Sequence, residues 1–81
     1  MSRTPLVIER HVRRRMALYH ITADEVTRIL ETPALRRPNK AGQGCQEAWG
    51  QAGERWFMVV YRPEGDRIVL VTVETKRRGP A

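Results

Sequence analysis

Apolar residues recur at Ile8, Val12, Met16 and Tyr19, in steps that place them on one side of a helix. The spacing predicts a helix from about Val7 to Tyr19, with Arg10, Arg13, Arg14 and Ala17 towards its other side. Its start has two readings: Thr4-Pro5 as a cap and first-turn proline, or Leu6-Val7-Ile8 as a short extended lead-in. After a tight connection at His20-Ile21, Thr22 precedes Glu25 by three residues, the pattern of a reciprocal capping box. Asp24 and Glu25 sit in the first turn, where the helix dipole favours negative charge. Val26, Ile29 and Leu30 make the buried stripe of this second helix, and Pro33 ends it by Thr32.

"PALRRPNKAGQG", Pro33 to Gly44, reads as a loop. Beyond it the period shortens to two. Strands are expected over Cys45–Gln51, Arg55–Arg62 and Arg67–Thr75, with turns at Ala52-Gly53 and at Pro63–Asp66. The expected fold is α+β: two N-terminal helices packed on a three-stranded antiparallel meander. One domain spans 1–81, with an ordered core over about 6–75 and a flexible basic tail, "KRRGPA", over 76–81. Either Val69, Val71 and Val73 or Ile68 and Leu70 face the helices, and alternation alone does not choose. Trp56 and Phe57 are strand neighbours, so one of them must point away from the helix-covered face.

Composition narrows the class. A chain of 81 residues forms one small domain, and its single cysteine, Cys45, makes no internal disulfide. The apolar run near the N-terminus is too short for a signal-peptide core, and no stretch approaches a membrane span. A cytoplasmic protein, monomeric or weakly dimeric, is expected. The net charge is +6, and apart from Lys40 and Lys76 every basic residue is arginine. Arginine's planar fork suits phosphate, although base composition of a genome also enriches it without any partner.

His11 and Arg15 lie four residues apart and so share one side of the first helix. A histidine there could act as general acid or base in cleaving RNA, with Arg15 holding the scissile phosphate. The plainer reading has His11 bonding a backbone carbonyl or Glu74 at the helix–sheet seam, with Arg15 paired to a carboxylate. Arg10, Arg13, Arg14, Arg36, Arg37, Lys40, Lys76 and Arg77 are the candidate nucleic-acid contacts, and solvation is the alternative for each. Trp49, Trp56, Phe57 and Tyr61 are core residues or, on an open sheet face, base-stacking ones. "GQGCQE" lacks the Lys-Ser/Thr of a phosphate loop, and neither a metal site nor a cofactor is expected.

The order "HVRRRM…HITADEVTRILETP", basic Gly-rich loop, "RWFMVVYRPEGDRIVLVTV" resembles a small bacterial family, domain of unknown function 4258. The matching positions are His11, Arg15 and Met16; Ile21, Thr22 and Val26; and Val71, Thr72 and Val73, within a resemblance running from Ile8 to Glu74. Val12 stands where the family usually has alanine, and Tyr19-His20 where it commonly has Arg-Gly. Its layout is similar to that of the RelE/ParE toxins, small basic proteins of toxin–antitoxin pairs, some of them ribosome-dependent ribonucleases and others gyrase poisons. The resemblance implies a toxin-like RNA-binding protein or metal-independent ribonuclease, with RNA, the ribosome or an acidic antitoxin-like protein as partner. The alternative is a non-enzymatic module that binds nucleic acid or protein, through an exposed sheet edge in the latter case.

Overall fold

The computed structural model describes residues 4–80. The first three residues and the last residue of the basic tail lie outside them. The elements are β1 (Leu6–Ile8), α1 (Arg10–Tyr19), α2 (Ala23–Glu31), β2 (Leu35–Pro38), β3 (Gln46–Ala52), β4 (Arg55–Glu64) and β5 (Arg67–Lys76). The sheet has five strands in the order β1-β5-β4-β3-β2, with β1 parallel to β5 and the other neighbours antiparallel.

The expected three-stranded meander is therefore only the middle of a mixed sheet. Two short segments extend it at either edge. Leu6–Ile8 is the extended lead-in, paired Leu6 to Ile68 and Ile8 to Leu70, so Ile8 belongs to a strand and not to the stripe of α1. Three residues are too few to display alternation, and Ile8 falls by chance at helical spacing from Val12. Leu35–Pro38, expected as part of a loop, pairs with Gln46–Trp49 and covers the outer edge of β3. Pro33 and Pro38 argue against a strand, but Pro33 precedes it, and an edge strand needs ladder bonds on one side only and tolerates Pro38 at its end.

Helix α2 carries the full capping box. The Glu25 backbone N–H donates to Thr22 Oγ1 at 3.1 Å, and the Thr22 N–H donates to Glu25 Oε1 at 2.9 Å. Helix α1 ends in a Schellman motif: the His20 N–H donates to the Ala17 carbonyl and the Ile21 N–H to that of Met16. His20 sits at φ 56°, ψ 43°, the left-handed conformation for which glycine is the usual choice. Two hairpins, Gly53-Glu54 and Gly65-Asp66, each place a positive-φ glycine first in a two-residue connection. Pro63 and Glu64, expected in the second turn, belong to β4.

Both helices cover one sheet face. Val12, Met16, Ile21, Val26, Ile29 and Leu30 pack on Ala48, Phe57, Val59, Tyr61, Leu70 and Val73. Leu70 and Val73 differ in parity, so a regular strand could not turn both inward. A β-bulge at Val71 allows it: Tyr61 pairs with Leu70 and Val60 with Thr72, leaving Val71 as the extra residue. Neither alternating set of β5 holds along its length. Val71 packs instead on the opposite face with Cys45, Trp49, Met58, Val60 and Leu35. Phe57 is the inward member of its pair, with Trp56 half-buried on the other face. On that face the C-terminal tail returns to the sheet, and Gly79 lies so close to the Trp56 indole that a Cβ there would stand 2.7 Å from Cζ2.

Candidate nucleic-acid interface

Val12 and Met16 anchor α1 to the core, and at about 100° per residue the other side chains follow. Arg10 and Arg14 point away from the sheet. Arg13 lies on one flank, and His11, Arg15 and Leu18 on the other. All six are exposed, Leu18 to 71%. Among the described residues none of Arg10, Arg13, Arg14 and Arg15 pairs with a carboxylate.

His11 reaches the sheet. Its Nε2 lies 3.2 Å from the Val71 carbonyl oxygen, which can only accept, so Nε2 carries the donated proton. Val71 is the bulge residue, beyond the last residue covered by β1, and the imidazole satisfies a carbonyl that the ladder leaves open. At the far end of α1, the Arg55 guanidinium donates to the carbonyls of Tyr19 and His20, the latter at 3.1 Å, and lies over the Phe57 ring. These contacts fix the course of α1: it starts beside Val71 and ends beside Arg55, next to the Trp56–Lys76 pair. Its arginines therefore run alongside the second half of β5 and towards Arg77.

The other basic candidates are separated from this helix. Arg36 and Arg37 lie on β2, three strands from β5, or about 14 Å at ordinary strand spacing. Arg36 donates to the Leu30 carbonyl and lies over the Tyr61 ring, fastening β2 to the end of α2. Arg37 donates to Glu47 at 2.7 Å and lies over the Trp49 ring. Both have partners within the protein, whereas Lys40 is exposed in the following turn. Lys76 contacts Glu74 at 3.3 Å and stands over Trp49, so it lies in β5 and not in a flexible tail. Arg77 is exposed.

One polar centre lies outside the residues that the sequence motifs single out. Glu47 is only 6% exposed, on the face away from the helices. It accepts from the Trp49 indole N–H, the Asn39 amide and the Arg37 guanidinium, each at 2.7 Å. Burial pushes its carboxyl up, but the donors from Trp49, Asn39 and Arg37 outweigh that and hold it below the ordinary carboxylate value. Two-residue spacing was the available signal, since it puts Glu47 beside Trp49 and Arg37 beside Asn39 on one face. With its donors matched, Glu47 ties β2 and the following turn to β3. Among the described residues no group of three or more His, Cys, Asp or Glu side chains is placed to hold a metal ion, and no helix is long and apolar enough to cross a membrane.

An open cleft of about 760 Å³ lies between the C-terminal half of α2 and the β4–β5 hairpin. Thr27, Glu31, Arg36, Tyr61, Asp66 and Arg67 are among its lining residues, so its charges balance. No family model, no curated protein and no solved structure matches the chain.

Proposed function

We propose that this is a toxin-like cytoplasmic protein that binds RNA through α1. The observation that supports the reading is the set of exposed arginines, Arg10, Arg13, Arg14 and Arg15, on one helix and without carboxylate partners among the described residues. A surface of this kind costs little to desolvate against phosphate and releases counterions on binding. Arg36 and Arg37 have no part in this interface, because Leu30 and Glu47 already engage them. In the same reading His11 and Arg15 stand at the flank where phosphodiester would pass. The imidazole, tethered by Nε2, keeps Nδ1 for proton transfer, and Arg15 holds the phosphate.

The test is labelled mixed-sequence RNA incubated with the protein in EDTA, read on a denaturing gel for cleavage and by mobility shift for binding. Four phosphate contacts on single-stranded RNA give a log–log salt slope of about −2.8, and each Arg→Ala change on α1 reduces it by about 0.7. Arg36→Ala leaves the slope unchanged. Cleavage that disappears in a folded His11→Ala variant assigns the base, whereas binding without cleavage leaves a non-enzymatic RNA module or an enzyme that acts only on the ribosome. A shift insensitive to salt and to the α1 arginines overturns the reading.

A further inference from the structure

Strand β1 covers only the first part of the outer edge of β5, from Ile68 to Leu70. There the chain leaves the sheet as α1, while β5 continues, paired on its inner side with β4, as far as Lys76. From Val71 onwards no described strand lies on the outer side of β5. His11 takes the Val71 carbonyl, so the unoccupied edge is Thr72–Lys76. Rows of unpaired backbone N–H and C=O groups template another strand, and proteins usually blunt them. The opposite edge is blunted: β2 is four residues long, ends in proline and carries two arginines. The free part of β5 has no proline and three β-branched residues, Thr72, Val73 and Thr75.

Above this edge runs the flank of α1 that bears His11, Arg15 and Leu18, with Arg14 beside it. Arg77 and Arg78 are exposed at its far end. The only carboxylate on the free stretch, Glu74, is engaged by Lys76. The surface is thus a strand template bordered by unpaired cations and one exposed leucine.

We infer that Thr72–Lys76, with the flank of α1 above it, docks an extended acidic segment of another protein, added to the sheet as a sixth strand. Main-chain hydrogen bonds supply the affinity in such augmentation, and side chains supply the selection. Carboxylates on the added strand reach Arg15, its apolar residues reach Leu18, and Arg14, further round the helix, adds to the positive field above it. A second copy of this chain fits poorly, because pairing β5 with β5 would bring two sets of unpaired α1 arginines together. This inference goes beyond the RNA reading and does not depend on it, though both draw on α1.

A labelled short peptide of alternating glutamate and valine, titrated into the full chain by fluorescence anisotropy, tests it. The companions are a lysine–valine peptide and two N-methylated forms of the acidic peptide, blocked at odd or at even residues. The acidic peptide is expected to bind, and the basic one at least tenfold more weakly. One N-methylated phase loses at least tenfold and the other does not, since only alternate N–H groups face the sheet. The folded double variant R14E/R15E weakens binding about tenfold, and hydrogen exchange slows within Thr72–Lys76 when peptide is added. The inference is overturned if no peptide binds at about 1 mM, if both N-methylated phases bind alike, or if protection falls elsewhere. Protection of Thr72–Lys76 by RNA, or by self-association of the free protein, also overturns it and gives the edge to that occupant.

Discussion

Removing Glu47 tests the account of the polar centre most directly. In Glu47→Ala the Trp49 indole N–H loses its acceptor at a site where the ring is 8% exposed. A buried donor left unsatisfied costs about 1–3 kcal/mol. The Arg37 side chain is 48% exposed and can rehydrate, so its share is small, and Asn39 is only half-buried. Adding the lost packing gives about 2–3 kcal/mol, or a melting temperature lower by about 10–20 °C in a domain of this size. The deficit also depends on pH. Because folding holds the Glu47 carboxyl below its ordinary value of 4.5, its contribution is fully present above that value and is lost as pH falls through the lower folded value. Thermal unfolding followed by circular dichroism at pH 7, and at steps below 4.5, should show wild type and Glu47→Ala converging in acid. A loss under about 3 °C at pH 7, or a gap that does not narrow in acid, would refute the reasoning.

Other perturbations read different parts of the fold. A methyl at Gly50 would stand 2.9 Å from Ile29 Cγ1, so Gly50→Ala should cost about 1–3 kcal/mol, and Ile29→Ala in that background should cost less than it does alone in denaturant unfolding. Thr22→Ala removes the capping box and should lower stability by about 1 kcal/mol, measured the same way. His20→Gly relieves a left-handed residue and should raise stability by about 0.5–1 kcal/mol, seen as a higher melting temperature. Gly79→Ala lifts the tail from Trp56, which should increase acrylamide quenching of Trp56 fluorescence in a Trp49→Phe background while hardly changing the melting temperature.

Local rules carried much of this protein. The capping box at Thr22, the stripe of Val12, Met16 and Tyr19 and the opposed faces of Trp56 and Phe57 follow from period and turn chemistry, as do the two hairpins, although their connections are Gly53-Glu54 and Gly65-Asp66 and not Ala52-Gly53 and Pro63–Asp66. These effects act over a few residues, so the chain states them wherever it folds. The arginines of α1 were readable too, since a helix anchored by Val12 and Met16 must turn Arg10 and Arg14 outward.

Tertiary structure decided the rest. Strands β1 and β2 are too short to show a pattern, and they exist because β5 and β3 offer them partners far along the chain. The bulge at Val71 shifts the phase of β5 to bring Leu70 and Val73 inward together, a choice set by packing against the helices and invisible to alternation. His11 then meets the Val71 carbonyl sixty residues away. Arg36 and Arg37, alike in sequence to the α1 arginines, are engaged by Leu30 and Glu47 because the fold lays β2 beside α2 and β3. Whether an arginine is free to meet phosphate depends on what the distant chain puts beside it, and only the folded arrangement supplies that.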